Sequence, residues 1–137
     1  MRILLNTNVF LDYLQHRKGL DAAEQILQEC VQYKMDGFVA AHSISNIFFI
    51  LRKVYTEDER RDILASLTSF LSVAEINHEM IASALARREF SDFEDCLQDE
   101  CASIVGADFI VSQNIKDYVN SRVPAVSPKD FLQIYSG

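Results

Sequence analysis

Three separate segments of this chain carry polar side chains of the kind that bind divalent cations. They are Asn6 after an apolar run, the Ser43-x-x-Asn46 segment, and a third set that joins Asp92, Asp95 and Asp99 with Asn114 and Asp117. Asp92 and Asp95 are three residues apart, so they would be neighbours on one face of a helix. A carboxylate beside the apolar stripe of a helix is costly unless it is paired or bound to a cation. Because Mg²⁺ and Mn²⁺ prefer oxygen ligands drawn from separate elements, this pattern favours a metal site.

Each of these residues also has an ordinary structural explanation. An aspartate at the start of a helix, such as Asp92, is more often a cap than a metal ligand. Asp117 fits a solvated loop, and Asn6 fits a turn at the end of a strand. The residues become specific for chemistry only if the fold brings them together.

Short apolar segments that alternate with helical patterns would have to position these side chains. The segments that predict strands are residues 3–5, 38–41, 73–76, 109–111 and 125–126. Seven segments predict helices. Three have both ends marked, at residues 20–34, 78–88 and 92–105. The other four are marked by their starts, at Thr7 or Asn8, at Ser43, just after Thr56, and at Pro128. The helix over 92–105 has its predicted apolar stripe at Phe93, Leu97, Cys101 and Ile104.

Buried strands separated by helices predict an α/β fold with three layers, α/β/α, around a central, mostly parallel sheet of four or five strands. We expect residues 1–137 to form a single domain, because the length suits one core. Ligand sites in such folds lie at the carboxyl ends of the strands. The polar residues that follow predicted strands are Asn6-Thr7-Asn8, His42-Ser43 and Ser112-Gln113-Asn114.

The composition argues against several classes of protein. The 137 residues carry 13 basic and 20 acidic side chains, a net charge of −7, which argues against a broad basic surface for duplex phosphates. The three cysteines are odd in number and match no zinc spacing, so we expect free thiols. No apolar run approaches the roughly 18 residues of a membrane span. The N-terminal apolar run stops at Asn6, too early for a signal peptide, so we expect a cytoplasmic protein with no membrane contact.

Four segments, in order along nearly the whole chain, resemble the PIN-domain (PilT N-terminus-like) family. Residues 2–14 resemble its opening, an apolar strand followed by Asp-Thr-Asn and an apolar helix. Ser43-x-x-Asn46 with residues 47–53 resembles the second signature helix. Residues 93–102 resemble the Asp-Ala-Leu segment, and residues 106–118 resemble the last segment, which usually ends in an Asp-Phe pair.

The resemblance implies a metal-dependent endoribonuclease, and a VapC-type toxin of a toxin–antitoxin pair. It implies Mg²⁺ or Mn²⁺ as cofactor, RNA as substrate, an antitoxin protein as partner and a homodimer as assembly. The positions carried over as catalytic are Asp95, Asp92, Asp117 and Asn6, with Asp95, Asp117 and Asn6 as metal ligands. The positions carried over as lining the site are Asn46, Ser43, Asn114, Ser112 and Thr7.

The chain departs from the family at two positions. Asn6 stands where the family has Asp, and Asn46 stands where Glu is common, although one branch carries Ser-x-x-Asn. An amide oxygen can coordinate a cation, but it brings no charge, so we expect weaker metal binding and weak or absent cleavage. A catalytically weakened module that binds RNA or an antitoxin is therefore the alternative.

Two other classes of protein share this size and layering. A phosphoacceptor signalling domain needs an acidic pair at the end of its first strand, where this chain has Asn6. A haloacid-dehalogenase-like phosphatase needs aspartates at positions 6 and 8, and both are asparagine. Phe48, Phe49 and Tyr55 exceed what one buried stripe needs, so we expect part of that helix to be covered in a two-fold dimer.

Overall fold

A computed structural model describes residues 1–136, and its centre is a sheet of five strands that are all parallel. The strands are β1 (Arg2–Leu5), β2 (Asp36–Ala40), β3 (Ser72–Ala74), β4 (Phe109–Val111) and β5 (Ala125–Val126). Their order across the sheet is β3-β2-β1-β4-β5, so β1 lies in the middle.

Seven α-helices and two short 3₁₀ turns cover this sheet. The helices are α1 (Thr7–Leu14), α2 (Leu20–Val31), α3 (Ala41–Ile50), α4 (Glu57–Thr68), α5 (His78–Ala86), α6 (Phe93–Ile104) and α7 (Pro128–Ser136). The 3₁₀ turns are Leu51–Lys53 and Ile115–Tyr118. No helix among residues 1–136 has the length and apolar character that a membrane crossing requires.

The alternation of side chains along β1 shows why the fold has three layers. Ile3 and Leu5 lie in one core cluster with α1, α2, α3, α4 and α7, whereas Leu4 lies in a second cluster with α5 and α6. All three side chains are completely buried, as expected for a central strand covered on both faces. The predicted three-layer α/β/α fold is therefore confirmed.

Several predicted boundaries were wrong, and one predicted helix face was only partly right. The third strand is Ser72–Ala74 rather than 73–76, because it pairs with β2 over three residues. The third helix begins at Ala41 rather than Ser43, since β2 runs directly into it. Leu97 and Cys101 of the predicted α6 stripe are buried, but Phe93 and Ile104 are 43% and 64% exposed, because α6 packs on both α5 and the sheet and buries residues 96–102.

Pairing between strands brings the candidate site residues to one edge of the sheet. Leu5 pairs with Val39 on one side and with Val111 on the other. The next residue of β1, Asn6, continues the ladder through its backbone N–H, which donates to the Val111 carbonyl at 3.0 Å. Asn6, the start of α3 and Ser112 therefore meet at the carboxyl ends of adjacent strands.

A buried ion-pair network fixes α6, which carries Asp95. The Arg87 guanidinium donates to Asp99 at 2.7 Å and to Glu100 at 2.8 Å. Asp99 is completely buried and also accepts the backbone N–H groups of Arg122 and Val123, each at 3.0 Å from its nearest carboxylate oxygen. These contacts attach α6 to α5 and to the segment that leads into β5.

Candidate active site

Asn6 is buried at the end of β1, and its amide group is held by two hydroxyls. Its Nδ2 donates to Ser112 Oγ at 3.0 Å and to the Tyr118 hydroxyl at 2.7 Å. The Tyr118 hydroxyl in turn donates to Asp95 Oδ1 at 3.0 Å. Asn6, Tyr118 and Asp95 form a hydrogen-bonded chain that joins β1, the Ile115–Tyr118 turn and the first turn of α6.

Asp95 has the electrostatics of a carboxylate that is buried beside other acids. Burial and the nearby charge of Asp92 raise its pKa to about 6 from an ordinary value of 3.8. Hydrogen bonds from Tyr118 and Asn6 lower the pKa, and the charge of Asp117 raises it again. Burial and the charge of Asp95 also raise the pKa of the Tyr118 hydroxyl, so that it stays protonated and donates.

Asp92 and Asp117 lie around Asp95 but have different environments. Asp92 is exposed, and its Oδ1 accepts the backbone N–H of Asp95 at 3.0 Å, so it caps α6. Asp117 is half-buried in the Ile115–Tyr118 turn. The structure thus brings the four residues predicted as catalytic to one region, while their roles stay predictions.

Ser112 is the point at which three hydrogen-bond donors converge. It is completely buried, and its Oγ receives Asn6 Nδ2, Asn8 Nδ2 at 3.2 Å and the backbone N–H of Asn114 at 3.1 Å. A hydroxyl has two lone pairs and one proton of its own to donate. A carboxylate at position 6 would accept that proton, whereas the Tyr118 hydroxyl, which donates its own proton to Asp95, accepts the amide N–H that is present.

A second polar cluster lies next to Asn6, beneath the start of α3. Ser43 Oγ is completely buried and accepts Thr7 Oγ1 and Gln98 Nε2, both at 2.8 Å. Gln98 Nε2 also lies 3.3 Å from His42 Nε2, and burial lowers the pKa of His42. The predicted lining residues Thr7 and Ser43 are therefore joined by hydrogen bonds to Gln98, which lines the cleft beside Asp95.

Two of these residues, Tyr118 and Gln98, were not predicted from the sequence. Gln98 follows Asp95 by three positions, so the helical period could have placed both on one face. Tyr118 occupies the aromatic position of the last family segment, directly after Asp117. His42 was predicted at the end of the second strand, although no ligand spacing links it to the other two histidines.

An open cleft of about 370 Å³ gives access to Asn6 and Asp95. The side chains that line it are Asn6, Thr7, Asn46, Phe49, Ile50, Arg52, Glu94, Asp95 and Gln98. The predicted lining residue Asn46 stands on the α3 wall, whereas Ser112 and Asn114 lie behind Asn6. A larger groove of about 690 Å³ lies away from this chemistry, between α1, α2 and α4.

A model of the PIN domain matches residues 2–116, which is most of the chain. The chain belongs to the PIN domain family. No curated protein sequence is similar enough to match it. The family assignment agrees with the resemblance that the four sequence segments indicated.

Solved structures of toxin–antitoxin proteins share the fold of this PIN domain. VapBC2 from Rickettsia felis, bound to promoter DNA, has a TM-score of 0.71 at 14% identity, covering 93% of this chain and 98% of that one. A toxin–antitoxin complex from Klebsiella pneumoniae has a TM-score of 0.69 at 21% identity, covering 92% and 97%. VapC20 from Mycobacterium tuberculosis, a sarcin–ricin loop cleaving toxin, has a TM-score of 0.61 at 11% identity, covering 79% and 86%.

PIN-domain nucleases generally use divalent metal ions. The question is therefore whether the side chains of this PIN domain can hold one. Within residues 1–136, no group of three His, Cys, Asp or Glu side chains is arranged to hold a metal ion. The amide of Asn6 turns an N–H rather than an anion towards Tyr118, and Asp92 is occupied as a helix cap. The residues present therefore offer fewer anionic ligands than a metal centre built from several carboxylates has, because position 6 carries no charge.

Proposed function

We propose that this PIN domain is the toxin of a toxin–antitoxin pair, an endoribonuclease of the Mg²⁺- or Mn²⁺-dependent class whose own cleavage activity is weak. The observation that carries the proposal is the position of Asn6. Its amide lies in the cleft and is linked to Asp95 through the Tyr118 hydroxyl, at the point where the family has a second carboxylate. The fold and the cleft support descent from RNA-cleaving proteins, and the amide at position 6 would account for a low rate of RNA cleavage.

The expected loss of cleavage rate has an electrostatic cause. Hydrolysis of a phosphodiester needs a positive charge near the phosphate and a deprotonated water, and anionic ligands are what retain a cation there. An amide at position 6 leaves the half-buried Asp95 and the exposed Glu94 as the carboxylates that line the cleft. The loss of a charged ligand can cost several kcal/mol in the transition state, which corresponds to roughly a thousandfold in rate.

The surroundings of residue 6 support the idea that a carboxylate can replace the amide without disrupting the fold. Ser112 has a proton to donate to an acceptor at position 6, and the Tyr118 hydroxyl, at 2.7 Å, can donate its one proton either to that acceptor or to Asp95. The substitution Asn6→Asp replaces the amide nitrogen by an oxygen and keeps the side-chain volume. We therefore expect Asn6→Asp to fold normally and to gain activity.

The proposal is tested with a fluorogenic RNA in Mg²⁺ or Mn²⁺, with EDTA as the metal control. Asn6→Asp should cleave at least a hundredfold faster than the parent chain, and Asp95→Asn should cleave no faster than background. Asn77→Asp is the matched control, because it adds the same charge at the cap of α5, outside the cleft, where aspartate also caps well. Equal rates for the parent and Asn6→Asp, both abolished by EDTA, would refute the claim that Asn6 lowers the rate of cleavage.

The second candidate function is a binding module that holds RNA or an antitoxin without cleaving. The observation that favours it is the hydrogen-bonded chain from Asn6 through Tyr118 to Asp95. In this chain the polar groups of the site bond to one another rather than being free for a reacting group. If neither the parent chain nor Asn6→Asp cleaves RNA at any metal concentration, this candidate replaces the first.

We also propose an antitoxin as a protein partner, a homodimer as the assembly and the cytoplasm as the location. The toxin–antitoxin complexes among the structural neighbours support the partner. The groove between α1, α2 and α4 has an apolar lining that includes Leu27 and Phe70, with Glu24 and Asp62 beside it. Such a surface would suit an apolar segment that carries basic side chains.

A further inference from the structure

We propose that Phe49 and Arg52 form a platform on which an unpaired base of an RNA substrate stacks, with the guanidinium next to its phosphate. The platform would position the strand beside Asp95. This inference rests on the proposed function and deepens it, because it specifies single-stranded RNA as the ligand of the cleft.

The two side chains are stacked on each other at the edge of the cleft. The Arg52 Cζ atom lies 3.6 Å from the centroid of the Phe49 ring, and Arg52 Nη1 donates to the Phe49 carbonyl oxygen at 2.9 Å. Both side chains line the same cleft as Asn6 and Asp95. The guanidinium is therefore held in place at the end of α3 before any ligand arrives.

The neighbouring pair, Phe48 and Arg60, shows what a purely structural version of this contact looks like. Arg60 lies 4.2 Å from the Phe48 ring centroid and donates to the Phe48 carbonyl oxygen at 2.9 Å. Phe48 is partly buried and packs against the core cluster. Phe49 is 48% exposed even though Arg52 covers its ring. The Phe49 ring is therefore not part of the hydrophobic core.

The chemistry of the cleft matches that of a single-stranded nucleic acid. Proteins hold such strands by stacking bases on aromatic rings and by placing cations beside the backbone. Arg52 is the basic side chain among the residues that line the cleft, and it stands on the wall that carries Phe49. A duplex hides its base faces, so a stacking platform selects unpaired nucleotides. The net charge of −7 leaves binding dependent on such local contacts.

The test measures binding rather than cleavage, so it does not depend on the activity of the site. Fluorescence anisotropy follows a labelled single-stranded RNA of mixed sequence, about twelve nucleotides long, in EDTA. We expect Phe49→Leu to weaken the Kd about tenfold, since stacking on an aromatic ring is lost. Phe49→Tyr should bind as the parent does. The same strand annealed to its complement should bind the parent and Phe49→Leu equally.

A matched pair of charge changes tests the cation. Arg52→Gln should weaken the Kd several-fold, whereas Lys53→Gln removes the same charge from the adjacent exposed residue outside the cleft lining and should change it less than twofold. Equal losses for the two variants would show a non-specific charge effect and overturn the platform. An unchanged Kd for Phe49→Leu would overturn it as well.

Sedimentation of the same variants separates RNA binding from an interface between copies. If Phe49→Leu converts a dimer to a monomer and leaves the RNA Kd unchanged, the exposed face of Phe49 belongs to that interface and the inference is wrong. Failure of the parent chain to bind single-stranded RNA would also overturn it. A gain of cleavage by Asn6→Asp reports on the proposed function separately from all these results.

Discussion

Replacing Asp95 by asparagine should stabilise this protein at neutral pH, although it removes the central carboxylate of the cleft. Burial and the charge of Asp92 raise the pKa of Asp95 to about 6 from 3.8, so the charged form is disfavoured in the folded state. A rise of about two in pKa corresponds to about 3 kcal/mol. Asp95 is only half-buried, and solvent screening reduces the expected gain to about 1–2 kcal/mol.

The sign of the effect follows from proton binding. Between pH 3.8 and about 6 the folded chain retains a proton on Asp95 that the unfolded chain has lost, so the parent loses stability as the pH rises through this window. The asparagine of the Asp95→Asn variant cannot titrate. The difference in unfolding free energy between the variant and the parent should therefore be near zero at pH 4 and reach its full value above about pH 6.

Urea unfolding at about pH 4, 5, 6 and 7 measures this difference directly. Glu94→Gln is the matched control, because it removes one negative charge from the same exposed helix turn and should change stability by only a few tenths of a kcal/mol. The Tyr118 hydroxyl, which donates to Asp95, can donate to the amide oxygen of the variant as well, so the hydrogen-bonded chain is retained. A variant that is less stable than the parent at neutral pH, or a difference that does not vary with pH, would refute the reasoning.

Three further predictions concern the stability of the fold and the oligomeric state. Arg87→Leu should destabilise the fold by about 3–5 kcal/mol in urea unfolding, because it leaves the completely buried Asp99 without its cation. Gly37→Ala should cost about 1–3 kcal/mol by the same measurement, since its Cβ would stand 2.5 Å from Leu71 Cδ2. Val54, directly after the Leu51–Lys53 turn, is 70% exposed, and Val54→Asp should shift the expected dimer towards monomer in sedimentation. A parent that sediments as a monomer at micromolar concentration would contradict that assembly.

The capping box of α4 was visible in the sequence because it depends on local contacts. The Thr56 hydroxyl accepts the Glu59 N–H at 3.2 Å, and Glu59 accepts the Thr56 N–H at 2.8 Å. Two residues three positions apart are sufficient for this motif. In the same way, Asn77 caps α5 as the sequence predicted. Local order and layer architecture could therefore be inferred before the fold was known.

The face of α6 could not be inferred in this way. Its sequence suggested an apolar stripe through Phe93 and Ile104, yet the buried arc contains Gln98, Asp99 and Glu100. Polar side chains can be buried there because partners from distant segments satisfy them, as Arg87 does for Asp99. Periodicity records the polarity of a residue and not the presence of such partners.

The sequence by itself determined the order of the elements, the parallel sheet, the family and the substitution of an amide at position 6. Those features depend on residue type and on spacing along the chain. Only the tertiary structure decided that Tyr118 bridges Asn6 to Asp95 and that Phe49 and Arg52 face the same cleft. The physical reason is that hydrogen bonds and charges act over a few ångströms in space, between residues as far as 112 positions apart in sequence.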